Sequence, residues 1–225
     1  MRLARSQRSV VGQRAFVIVP MAVGGIQPVG WIRLGLWRAQ PVVVPYKSEW
    51  PTLAARTLES LQEPFSGFVT RFEHIGSTAI PGMAAKDVLD LQVSVLDLEV
   101  AADSAASPLE GLGFERSPYQ SDHIPAGIVD DPKNWSKRFW TRRIAGAADV
   151  NLHVRRTGSP NERLALLFRD WFRSHPDAVP AYASFKVALA EICPDVDVYA
   201  DIKDPVVDLV VAVADEWARS VGWSI

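Results

Sequence analysis

The segment that most constrains the fold runs from Gly67 to Val95. Gly67 to Ile75 mixes apolar and polar side chains as a half-buried strand running into Gly76-Ser77, and Val88 to Val95 alternates. A period of two marks half-buried strands, and Pro81-Gly82 forbids a long regular helix directly after the Gly-Ser turn. Two strands joined by a turn and a short loop follow. The second places Val88, Asp90, Gln92 and Ser94 on one face and Leu89, Leu91, Val93 and Val95 on the other. Asp90 thus faces away from the layer that Leu89 and Leu91 bury.

A carboxylate in mid-strand, one strand after a Gly-Ser turn, suggests a site for phosphate and a divalent cation. Gly76 lets backbone approach a ligand, Ser77 adds a hydroxyl and an N–H, and Asp90 supplies a hard oxygen. Spacing alone leaves a second reading open, a solvated Asp beside an ordinary turn. A second polar strand face lies in Ala148 to Arg155, where Asp149, Asn151 and His153 alternate with Val150, Leu152 and Val154. Its hairpin partner is Ser136 to Ile144, with Arg138, Trp140 and Arg142 facing one way. Arg138 is either a phosphate ligand or part of a charged edge strand.

The run HIGSTAIPGMAAKDVLDLQV, His74 to Val93, closely resembles the motif of the GrpB family, whose members look like nucleotidyltransferase-fold proteins related to the DNA polymerase β superfamily. That superfamily's mark is a Gly-Ser turn followed on a strand by a pair of carboxylates. Gly76, Ser77 and Asp90 match it, while Gln92 stands where the second carboxylate belongs. The Asn151-Leu152-His153-Val154 strand and the pairs Tyr182/Lys186 and Tyr199/Lys203 also resemble the family pattern. The resemblance extends over Val42 to Trp217. It implies an α/β (α+β) fold: a small mixed sheet carrying the turn, packed by helices, with a C-terminal helical layer. It also implies that Asp90 and His153 approach each other across neighbouring strands.

The function so implied is metal-dependent nucleotidyl transfer from a nucleoside triphosphate, with Mg²⁺ or Mn²⁺, to an unknown acceptor. In that role Asp90 binds the cation, His153 serves as ligand or base, Gly76 and Ser77 cradle phosphate, and Lys86 and Arg138 neutralise its charge. Either of Lys186 and Lys203 is a further point charge for phosphate, with plain surface solvation as the alternative. Two-metal chemistry wants several carboxylates, so Gln92 favours an alternative: a catalytically weakened nucleotide- or protein-binding module. Domains resembling this one occur fused to dephospho-CoA kinase in some bacteria, which points to an association with that enzyme and with coenzyme A biosynthesis.

The rest of the chain sets limits on these readings. Trp50, Leu53, Ala54, Leu58 and Leu61 recur at helical spacing between Lys47 and Gln62, and Asp97 to Leu112 reads as a second helix ahead of a short Phe114-Glu115-Arg116 strand. Tyr119 to Asn134 reads as a loop, in which His123 is a solvated surface group or a metal ligand. Asn161 to Arg173 and Val179 to Ile192 are amphipathic helices, and a linker over Asp195 to Lys203 precedes a last helix opened by Asp204-Pro205. The 225 residues, 48% hydrophobic with a net charge of −2, fit one domain and give no electrostatic case for nucleic-acid binding. The single cysteine, Cys193, excludes an intrachain disulfide and fits the cytoplasm. Residues 1–40 form a tail outside the core of residues 41–225. Their apolar stretch from Ala15 is broken by Pro20 and Gly24-Gly25, too short for a membrane span. A disordered or loosely docked tail, a cleaved targeting segment and the remnant of an upstream region remain open.

Overall fold

The computed structural model describes residues 40–225, and apart from Gln40 the expectation of a tail over 1–40 lies outside them. The chain enters through β1 (Val43–Val44) and α1 (Trp50–Ser60). Then come β2 (Val69–Ile75), a 3-10 turn at Ser77–Ala79, β3 (Ala85–Lys86) and β4 (Val88–Val95). After α2 (Leu98–Gly111), the strands β5 (Glu115–Arg116), β6 (Lys137–Arg142) and β7 (Asp149–Arg156) complete the sheet. Three helices close the chain: α3 (Pro160–Ser174), α4 (Val179–Ile192) and α5 (Val196–Val221).

Five strands form one mixed sheet in the order β2-β4-β7-β6-β5, and β1 pairs with β3 beside it. The β4–β7 pair is parallel and the other pairs are antiparallel. The predicted α/β class, with a small mixed sheet and a C-terminal helical layer, is the architecture found. Alternation divides the sheet. Leu89, Leu91, Val93, Val150, Leu152 and Val154 face α1 and α2, where Trp50, Ala54, Ala101, Ala105 and Trp140 complete a core. The opposite face carries Asp90, Gln92, Asn151 and His153, because Asp90 is in register with Asn151 and Gln92 with His153. Core burial fixes the strand register, and the register places the polar side chains together.

Two expectations are corrected here. Asp195 to Lys203 is not a linker: α5 runs unbroken from Val196 to Val221, and the Asp195 carboxylate caps it by accepting from the N–H groups of Asp197 and Val198. Pro205 lies inside this helix, which absorbs the missing N–H. Arg138 is not beside the phosphate site. It is in register with Val154, so it shares the core-facing side of the sheet with Trp140, and its guanidinium pairs with Glu99 of α2.

Candidate functional site

The turn after β2 is held from both ends by α3. Arg169 donates from Nη1 to the His74 carbonyl at 3.0 Å and pairs with Glu73. Arg173 donates from Nε and Nη2 to the Ala79 carbonyl at 3.0 and 2.9 Å. His74 and Thr78 join their side chains at 2.9 Å across the turn. Between these braces Gly76 adopts φ 69° and ψ −168°, a region open to glycine alone. The reason is Asp90: a Cβ on Gly76 would lie 2.5 Å from Asp90 Oδ2 and 2.9 Å from Asp90 Cβ. Turn and carboxylate are packed as one unit.

Asp90 is 31% exposed, and its Oδ1 accepts from Asn151 Nδ2 at 2.8 Å. The expected approach of His153 is present, with Nε2 3.7 Å from Asp90 Oδ1. Burial alone would raise the Asp90 pKa, but His153, Asn151 and the charge of Lys86 outweigh it and hold the carboxyl down to about 2. At neutral pH Asp90 is an anion.

His153 is fixed by a chain of groups that runs away from Asp90. Arg155 donates from Nη2 to His153 Nδ1 at 3.3 Å, from Nη1 to Gln92 Oε1 at 2.6 Å and from Nε to Asp122 Oδ2 at 2.9 Å. Lys137 and Asn161 complete the surroundings of Asp122. A guanidinium only donates, so Nδ1 accepts and the ring proton sits on Nε2, facing Asp90. Burial, reinforced by Arg155 and Lys137 and opposed by Asp90, pushes the His153 pKa down to about 4. His153 is neutral and faces Asp90 from just beyond hydrogen-bond length, and in this tautomer Nε2 offers no lone pair to a metal.

The same chain accounts for Gln92. Its side chain is fully buried and takes the Arg155 guanidinium as partner. The position of a second carboxylate is filled by a neutral amide, and the remaining carboxylates on this face, Glu73 and Asp149, pair with Arg169 and Arg143. Among the described residues no group of three or more His, Cys, Asp or Glu side chains is arranged to hold a metal ion. One Mg²⁺ fits the donors present, since that ion is commonly held through one or two carboxylates plus substrate phosphates. A pair of ions does not fit.

Cations gather opposite Asp90. Lys86 Nζ lies 5.4 Å from the centre of the Tyr199 ring, and Lys203 on α5 pairs with its neighbour Asp204. Lys186 on α4 is 2% exposed, 5.2 Å from the Tyr182 ring centre, and its ammonium has no hydrogen-bond partner among the described residues. Burial, with the charge of Lys203 added and that of Asp90 opposing, lowers the Lys186 pKa to about 7. Lys86 is lowered too, by burial first and then by Lys203 and Arg143 against Asp90. A buried cation without a partner is costly, and a bound anion removes that cost.

The structure thus brings together Gly76, Ser77, Lys86, Asp90 and His153 and excludes Arg138. Sequence reasoning puts Asn151 on the polar strand face without a role, and it misses Arg155, Arg169 and Arg173, because their roles depend on contacts between distant elements. Lys186 carried a signal, a lysine on the stripe Tyr182, Lys186, Leu189 that faces inward along α4. His123 is an exposed surface group, in keeping with one of its two readings, and it bonds Asp208 at 2.8 Å and faces Asp204, tying its loop to α5.

The histidines predict a pH dependence. Burial first, with Arg173 and Arg169 adding and Asp90 opposing, also lowers His74 to about 4. From pH 6.5 down to 4 the unfolded chain binds protons that the folded chain refuses, so stability falls with pH over that window. For His153 the loss is up to about 3 kcal/mol. Urea midpoints between pH 7 and 4 should fall steadily, and His153→Gln should flatten part of the slope. A flat wild-type profile would contradict neutral burial of both rings.

Comparison with known proteins gives the family and the fold. The family model described as GrpB protein matches residues 40–212. A protein named dephospho-CoA kinase from Mycolicibacterium paratuberculosis is 35% identical over 203 residues, covering 83% of this chain and 49% of its own. A protein of the same name from Mycobacterium tuberculosis is 34% identical over the same shares. The chain spans about half the length of these curated relatives. The crystal structure of conserved protein GrpB from Enterococcus faecalis shares the fold, with a TM-score of 0.64 at 24% identity, over 78% of this chain and 99% of that one. The matched span takes in the Gly-Ser turn, Asp90, the His153 strand and the lysine-bearing helices, and the chain belongs to the GrpB family.

Proposed function

We propose that this chain binds a nucleoside triphosphate through its phosphates, with one Mg²⁺ or Mn²⁺ on Asp90, as a nucleotide-binding module with a reduced nucleotidyltransferase-like site. The observation that carries the reading is Lys186, a buried ammonium without a hydrogen-bond partner that shares electrostatic reach with Lys203 and Asp90. Ser77 and the Gly76 turn approach the phosphates from the sheet, and Lys86, Lys186 and Lys203 neutralise them from the other side. The cation, when bound, neutralises phosphate oxygens against Asp90. Asn151 and His153 hold the carboxylate in place, and Arg155 fixes the His153 tautomer.

Gln92 weighs against two-metal nucleotidyl transfer to an acceptor, because the neutral amide and Arg155 leave no second carboxylate for a second ion. Binding therefore stands ahead of transfer. The relatives named dephospho-CoA kinase support a further part of the proposal, that the module works beside an enzyme of that name in coenzyme A formation.

Calorimetric titration of ATP and GTP with Mg²⁺ into wild type and Asp90→Asn tests the reading. Expected is metal-dependent binding, weakened at least about tenfold in the variant, which corresponds to loss of about 1.4 kcal/mol, without pyrophosphate release. Release with an acceptor would restore the transferase reading. Absence of binding by folded wild-type protein would sink both.

A further inference from the structure

An open groove of about 340 Å³ lies between the three C-terminal helices, lined by Trp171 and Phe172 from α3, Tyr182 and Phe185 from α4, and Val206 and Val210 from α5. Its volume is that of a small-molecule site, but its chemistry is unusual for a nucleotide. Only the Tyr182 hydroxyl and the Trp171 indole N–H are polar among these six side chains, so the groove offers too few donors and acceptors to read a base edge. It adjoins the lysines on two helices at once. Lys186 follows Phe185 and lies one turn beyond Tyr182, and Lys203 lies one turn before Val206 on α5. Tyr182 belongs to both places, lining the groove while its ring centre is 5.2 Å from Lys186 Nζ.

A buried ammonium without a hydrogen-bond partner calls for an anion, and an open apolar groove beside it calls for hydrocarbon. A plain anion satisfies the first demand and a plain hydrocarbon the second. We propose that the ligand of this site is a phosphate or diphosphate ester with an alkyl or aryl body, whose head rests on Lys186 and whose body fills the groove. The inference rests on the phosphate-binding reading above and adds to it the class of molecule selected. Nucleotides bind through their phosphates alone, with no preference among bases.

The test is a calorimetric series on the full chain with methyl diphosphate, octyl diphosphate, ATP and GTP. Expected is octyl diphosphate binding at least about tenfold tighter than methyl diphosphate, the effect of roughly two buried methylenes, with ATP and GTP indistinguishable. Ala181 of α4 also lines the groove, and Ala181→Trp, which fills it, should remove the octyl advantage and leave methyl diphosphate affinity unchanged. Val210→Phe from the facing helix, which adds bulk without charge, removes the octyl advantage in the same way should Ala181→Trp fail to fold. Equal binding of the two esters, an octyl advantage that survives in both variants, or clear discrimination between ATP and GTP would overturn the proposal and leave phosphate binding standing. No binding of methyl diphosphate or ATP would overturn both.

Discussion

Replacing Lys186 with methionine is expected to stabilise the protein by about 2 kcal/mol at pH 7 and to weaken phosphate binding at least about tenfold. Methionine keeps the volume and the contact with Tyr182 while removing a buried charge that has no hydrogen-bond partner. The sign of the pH dependence follows from the lowered pKa. Between about 7 and 10.5 the unfolded chain holds a proton on Lys186 that the folded chain has released, so wild-type stability rises with pH across that window. The advantage of Lys186→Met should therefore shrink towards pH 10. Phosphate affinity of the wild type should fall as pH rises above 7, with proton uptake on binding near pH 8. Urea denaturation at pH 7 and 9.5, with phosphate titrations in buffers of different ionisation enthalpy, measures all of this. A variant less stable than wild type at pH 7 would show that the ammonium has a stabilising partner.

Gly76→Ala is expected to cost about 3 kcal/mol or more, because two penalties coincide. The backbone at φ 69° and ψ −168° excludes a side chain, and the added Cβ would meet Asp90 Oδ2 at 2.5 Å. Relief by moving Asp90 would break its contacts with Asn151 and His153, so Mg²⁺-nucleotide affinity should fall together with stability. In the Gly76→Ala background, Asp90→Ala removes the carboxylate and should restore part of the stability, a coupling that a double-mutant cycle in urea resolves. Gly82→Ala is the control. It has φ 77° but meets nothing nearer than Val179 Cγ1 at 3.8 Å, so it should cost about 1 kcal/mol. Equal effects at the two glycines would contradict the packing of turn against carboxylate.

Much of this fold was legible in local pattern. Alternation located β4 and β7, and the apolar stripe of α1 and the span of α2 followed ordinary helix rules. The turn and Asp90 were legible because glycine, serine and a strand carboxylate occur in one short run. Pro205 misled because a proline reads as a helix start, whereas the Asp195 cap had opened the helix further upstream. Arg138 misled for a different reason. Period two correctly grouped it with Trp140 and Arg142, but only the β6–β7 register shows that this group faces the core. Trp140 was the clue to that side. Arg155, Arg169 and Arg173 gave no local signal, since each acts on backbone or side chains far away in sequence.

The most direct test of the central claim is a crystal structure of the full chain with Mn²⁺ and a non-hydrolysable ATP analogue, phased to show the anomalous signal of manganese. The account predicts one manganese on Asp90, the triphosphate against the Gly76-Ser77 turn, a phosphate oxygen on Lys186, and His153 donating to Asp90 without touching metal. Two manganese ions, a metal bound by His153, or a nucleotide seated away from Lys186 would contradict it.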